Sequence, residues 1–207
     1  MPEFPERSKH EKEHAGVCLL DDSRAAQIVE FAVALPLLVV LVVGIFDFGF
    51  AFGVKQKVSN AAREGARVAA SQPTIDLSLT PAGGCGAPTS ICAVRDVVNN
   101  DLAIAKVNNC GLDGATASPG GSLANGWSFS STGTCSDVLT LKIERGYTFS
   151  SALPAPYSTP LTVEATRLTL IYPYKWQFNR VMSLVVTGAT YSDKTKITIV
   201  SVMQNLN

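Results

Sequence analysis

The chain is poor in charge and almost without histidine. Only 16% of its 207 residues are Asp, Glu, Lys or Arg, against roughly 25% in an ordinary soluble domain, so part of it is not surrounded by water. Seventeen basic residues balance 17 acidic ones and the pI is near 6.7. No basic field exists to hold a phosphate backbone, and a nucleic-acid partner is not expected. Both histidines, His10 and His14, lie ahead of the first apolar run. No His-based triad, general base or metal site can therefore form in the rest of the chain. A P-loop and a dinucleotide fingerprint are also missing, so neither an enzyme nor a cofactor is expected.

The missing polarity is concentrated in one place. From Phe31 to Phe46 there are 16 residues without a charged or polar side chain, and after Asp47 the apolar character resumes from Phe48 to Val54. As one helix, residues 31–54 would measure about 36 Å at roughly 1.5 Å per residue, enough to cross a hydrocarbon layer of about 30 Å. A membrane-spanning helix is expected; the rival is a buried core helix, which rarely lacks a polar face for so long. Residues 1–25 are mostly solvated charge and read as a cytosolic leader rather than a fold. The basic flanks do not decide orientation, with Lys9, Lys12 and Arg24 before the span and Lys55, Lys57, Arg63 and Arg67 after it.

Cysteine placement does bear on orientation. Cys18 stands alone before the span, whereas Cys85, Cys92, Cys110 and Cys135 follow it in a Gly/Ser/Thr-rich region without a CxxC pair. An even number there suits disulfides in an exported domain. Of the three pairings that four cysteines allow, Cys85 with Cys92 and Cys110 with Cys135 is preferred. A zinc site built from these thiols is the rival, although their spacings are not those of zinc ligands.

The stretch RAAQIVEFAVALPLL at residues 24–38, then Gly44, Asp47 and Gly49, then NAAREGARVAA at residues 60–70, resembles the TadE-like family of the tight-adherence (Tad, or Flp) pilus systems. The resemblance covers about a quarter of the chain; Tyr172, Pro173 and Tyr174 are similar to a Tyr-Pro-Tyr found late in such proteins. It implies a pilin-like protein of the bacterial inner membrane, single-pass, with a cytoplasmic N-terminus and a periplasmic domain. A prepilin peptidase would remove the leader between Ala25 and Ala26, although the position before the cut, glycine in the usual pattern, is Ala25 here. The implied partners are other pilin-like subunits, the inner-membrane assembly platform and membrane lipid.

Several residues of this stretch are candidates for assembly. Glu30 directly precedes Phe31, where a carboxylate near lipid is costly unless paired or interfacial. It is either an interfacial acid at the positive end of the helix dipole or the counter-charge for a neighbouring subunit's new Ala26 amine. Pro36 should kink or locally melt the helix. Asp47 is expected against a neighbouring helix or a water-filled groove, or without a partner near the outer interface. Gly49 and Gly53 form a GxxxG pair with Gly44 five residues earlier, either a helix-packing face or the ordinary glycine content of membrane helices.

Past the membrane, Val54, Val58, Ala61, Gly65 and Val68 recur at helical spacing, with Lys55, Lys57, Arg63, Glu64 and Arg67 on the other faces. One helix is expected from about Ala26 to Ser71, ended by Pro73, followed from residue 72 by an exported domain. Arg63 and Arg67 read as a solvated face more readily than as an anion site. The domain is expected to be α+β: loops at residues 74–90 and 109–136, a helix over Ile91 to Val107, strands over Val138 to Glu144, Leu161 to Tyr172 and Thr195 to Val202, and a short helix from Trp176 to Leu184. The sheet should be antiparallel with three or four strands. A switch of apolar phase near Arg167 predicts a bulge or two-sided burial. A pilus-assembly component supporting biogenesis and adhesion is the expected function; the alternative is a secreted or anchored binding domain whose apolar segment serves only export, cut after Ala51, Phe52 and Gly53.

Overall fold

The computed structural model describes residues 22–78, 84–120, 125–151, 160–176 and 194–206. The leader through residue 21, with His10, His14 and Cys18, lies outside the described residues, as does most of the helix expected from Trp176 to Leu184. The chain divides into two compact units, Met1–Leu41 and Val42–Asn207.

The first unit is described only as the beginning of helix α1 (Asp22–Ser71), which runs through Pro36 as a helix. Most of its apolar side chains are open among the described residues: Ile28, Val29, Phe31, Val33, Leu37 and Leu38 are all more than half exposed. None of the most apolar stretch of α1 is buried, which excludes a core helix and leaves a candidate membrane span. In lipid such a segment must satisfy its backbone internally, which a helix does.

In the second unit the remainder of α1 belongs to the hydrophobic core. Val58, Ala61, Ala62, Ala66, Ala69 and Ala70 are buried, at the three- and four-residue spacing that puts them on one face. They pack with Ile91, Val94, Val98 and Leu102 of α2 (Thr89–Ile104) and with one face of the sheet. Five antiparallel strands follow one another in space as in sequence: β1 (Ala117–Pro119), β2 (Gly126–Ser131), β3 (Leu139–Ser151), β4 (Leu161–Lys175) and β5 (Lys194–Gln204). Register aligns Phe129, Leu141, Leu170 and Ile199 across β2 to β5, a row perpendicular to the strands on the core face.

The fold is thus α+β as expected, with five strands rather than three or four. The difference is β1 and β2, which lie in the segment read as loop because Ser, Gly and Thr dominate it. Phe129 is the buried anchor of β2, and short polar strands suit that side of a sheet. The expected irregularity near Arg167 is present on the facing strand. Glu144 pairs with Arg167 and Tyr147 with Ala165, so Arg145 and Gly146 together face Thr166; Gly146 has φ of +75°, which makes this a bulge of the glycine type.

At Gly65 α1 lies close against α2 and β4. A methyl group there would overlap Val98 and press on Leu168. Overpacking of this kind costs about 1–3 kcal/mol. Gly65→Val should lower the thermal midpoint of the full chain in detergent by roughly 4–8 °C, about 2 kcal/mol for a chain of this size. Gly49→Ala, where a methyl meets nothing within 4 Å, should not lower it. Equal melting of Gly65→Val and the unsubstituted chain, followed by circular dichroism, would contradict this packing.

Candidate assembly site

The residues proposed for processing and subunit contact sit on the bare part of α1. Ala25 is helical, and its side chain lies outside the described set; Ala26 and Glu30 are exposed, Phe31 is 64% exposed, and Pro36 is half-buried. An exposed acid on an apolar helix requires either the interfacial layer or a partner of opposite charge. Gly44 and Gly53 are half-buried and Gly49 is exposed. A methyl group at Gly49 or Gly53 would meet no atom within 4 Å, so nothing within this chain requires glycine there.

Asp47 differs from the residues around it. It is buried, 3% exposed, while Phe46 and Phe48 on either side are 65% and 69% exposed. The Tyr174 hydroxyl donates to Asp47 Oδ1 at 3.2 Å and also lies 3.5 Å from the Asp47 carbonyl oxygen. One partner of the Asp47 carboxylate is thus a tyrosine of the same chain, 127 residues later. Strand β4 delivers it through the Tyr-Pro-Tyr run. Tyr172 and Tyr174 point to the same buried face, two residues apart, as strand alternation requires. Pro173 is tolerated because the β3 pairing of β4 ends at Ile171, leaving that side of the strand without a ladder to interrupt. Beside this pair, Trp176 packs edge-on to Tyr174 and to Phe48, with ring centres 5.1 and 5.2 Å apart. Its indole N–H donates to Thr195 Oγ1 at 2.6 Å.

Two disulfides join Cys85 to Cys92 and Cys110 to Cys135, the preferred pairing. The first closes the approach to α2; the second ties the loop after α2 to the loop before β3. Each removes freedom from the unfolded chain where composition favours disorder. Among the described residues no cluster of three His, Cys, Asp or Glu is arranged to hold a metal. Arg67 forms an exposed ion pair with Glu64 at 3.4 Å, and Arg63 is also on the exposed side of α1, the solvated face expected.

The bulge organises charges that sequence periodicity did not single out. Glu144 is buried and accepts from Arg167 Nε at 2.6 Å, and the Arg167 guanidinium lies 4.5 Å from the centre of the Tyr147 ring. That hydrogen bond is the main reason the Arg167 pKa is raised. Arg145 is 1% exposed and donates through Nη2 to the carbonyl of Gln72, just past the end of α1, at 2.8 Å. Its Nε and Nη1 lack a hydrogen-bond partner among the described residues. Burial lowers its pKa, opposed by the charges of Asp76 and Glu164. A cation at this point complements the negative end of the α1 dipole.

These features define a class: a domain stapled by disulfides, built on the far half of a helix whose near half is a candidate membrane span. Residues 25–67, about a fifth of the chain, match the family model described as TadE-like protein, in agreement with the resemblance carried by its motifs. The match begins at Ala25 and ends within the buried Ala/Gly face of α1. No curated protein and no solved structure matches the chain.

Burial, together with the Asp47 carboxylate, pushes the Tyr174 phenol up to about 12. Because the folded chain holds this proton more tightly than the unfolded chain, whose phenol titrates near ~10, the resulting stability is complete below that pH. It is lost as pH rises through about 12. Burial raises the Tyr172 phenol as well, so ultraviolet titration should show late phenol ionisation that is reduced by one group in Tyr174→Phe. The same substitution should destabilise the fold by about 1–3 kcal/mol, since it removes a hydrogen-bond donor from a buried carboxylate. A Tyr174→Phe chain with unchanged titration and unchanged denaturant midpoint would count against the contact.

Proposed function

We propose that this chain is a pilin-like component of a Tad/Flp pilus assembly or secretion system, anchored in the inner membrane, and that it supports pilus biogenesis and adhesion. Its role is structural rather than catalytic. The observation that carries this reading is a stretch similar to TadE-like proteins whose most apolar part is not buried among the described residues. A surface of that size stays exposed only in lipid or against other subunits. The two disulfides support placement of the domain on the oxidising, periplasmic side and of the N-terminus in the cytoplasm.

Within this reading a prepilin peptidase cuts between Ala25 and Ala26. The freed amine and Glu30 then supply opposite charges at the membrane boundary. Pairing between neighbouring subunits satisfies both, and removing one partner strands the other. The remaining partners are other pilin-like subunits and the inner-membrane platform. Packing weighs against an export-only role for the helix. A cut after Gly53 would remove Asp47, Phe48 and Ala51, which contact Tyr174, Trp176 and the core, and would leave Val54, itself packed on the core, as the new terminus.

Mass spectrometry of the protein recovered from membranes should give an N-terminus at Ala26. A start at Val54 would instead support a secreted domain, and an intact Met1 a plain anchor. Glu30→Ala should leave the protein in the membrane fraction but lower its co-purification with pilus components by about tenfold, about 1.4 kcal/mol of lost association. Unchanged recovery would count against the charge pairing.

A further inference from the structure

The end of the domain that holds Asp47 has the composition of a membrane interface. Phe46, Phe48, Phe50 and Phe52 are 60–69% exposed on consecutive turns of α1. Against this part of the helix stand Tyr174 and Trp176, whose rings meet each other edge-on, with Trp176 also edge-on to Phe48. Tyrosine and tryptophan are the residues enriched where acyl chains give way to headgroups, because one end of each ring is apolar and the other forms hydrogen bonds. Exposed basic residues border the cluster: Lys175 between the two aromatics, and Lys55 and Lys57 on the next turns of α1.

Length places this cluster at the membrane boundary. Residues 26–46 number 21, about 31 Å of helix, and the hydrocarbon layer is about 30 Å thick. Asp47, the next residue, is the first fully buried side chain of α1 among the described residues. Its carboxylate, which would be costly in the apolar layer, is covered there by the Tyr174 hydroxyl. The following turn and a half, through Phe52, spans the depth of a headgroup layer.

We propose that this end of the domain is seated in the headgroup layer of an anionic phospholipid membrane, with Trp176, Tyr174 and the Phe46–Phe52 turns at the level of the acyl–headgroup boundary and Lys55, Lys57 and Lys175 at the phosphates. The partner is the lipid surface itself, continuous with the span. The inference depends on the membrane reading of α1 given above.

Trp127 and Trp176 are the two tryptophans, which makes the proposal measurable. Trp127 pairs in the row of Leu168, eight residues before Trp176 along β4, about 26 Å of strand away. The full chain is reconstituted in vesicles of phosphatidylethanolamine and phosphatidylglycerol that carry a nitroxide lipid, labelled either at the headgroup or deep in the acyl chain. Trp127→Phe isolates Trp176, and Trp176→Phe isolates Trp127. Leu38→Trp in a background lacking both native tryptophans places a probe indole in the span. The headgroup nitroxide should quench Trp176 at least about threefold more than Trp127, as an interfacial indole requires, and the deep nitroxide should quench the probe indole of the span. The unsubstituted chain gives a second reading, since headgroup quenching should level off with one tryptophan's emission remaining. If the span probe is quenched and Trp176 responds no more than Trp127, the seating is wrong while the span stands. If the span probe escapes both nitroxides, the span and the seating fall together.

Discussion

The close approach of α1 to the rest of the domain at Gly65 is the constraint on which the architecture depends. A helix that carries Ala61, Ala62, Gly65, Ala66, Ala69 and Ala70 on one face presents little side-chain volume. Its backbone can therefore lie against Val98 of α2 and Leu168 of β4, and the larger side chains that fill the core come from those elements. Small residues at this surface recover in packing contacts what they lack in apolar area. The helix interior also keeps its register with the sheet, because a shift by one residue would drive Arg63 or Glu64 toward the core. The same helix, some twenty residues earlier, has large apolar side chains that are mostly exposed among the described residues. One element thus changes its solvent along its length, and its composition changes with it.

The transition falls at Asp47. An ionisable side chain between Phe46 and Phe48 would be costly in either environment if left bare. The fold meets that cost with the Tyr174 hydroxyl and with aromatic neighbours that keep water away. The stretch similar to TadE-like proteins and the domain's own geometry meet here, since Asp47 lies in the matched region and Tyr174 lies well outside it. The disulfides act at the opposite level of organisation. They restrain the Gly/Ser/Thr-rich connections around α2, which have few apolar side chains with which to hold themselves in place.

Local periodicity made much of this legible. The three-four spacing over residues 54–70, the stripe of α2, and the alternation of Leu139, Leu141 and Ile143 each identified an element and its buried face. The change of phase near Arg167 correctly signalled a bulge, although it is the opposite strand that carries it. What could not be read depends on pairing between distant segments. The strands β1 and β2 have a loop-like composition and become strands only by bonding to β3. The burial of Arg145 follows from the two residues that the bulge sets against one, and the partner of Asp47 arrives 127 residues later on β4. The Tyr-Pro-Tyr run was recognisable as a motif, but its attachment to Asp47 was not.

The strand order has a consequence for how the molecule is made. Each strand pairs with the one synthesised just before it, so the sheet can be extended one strand at a time as the chain emerges. The seat for the Gly65 face is incomplete until β4, carrying Leu168, has been added about one hundred residues later. Through that interval the helix is already made while its small-residue face has only the α2 part of its seat. Arrival of β4 completes the cover, so the order of synthesis sets how long that face waits for Leu168.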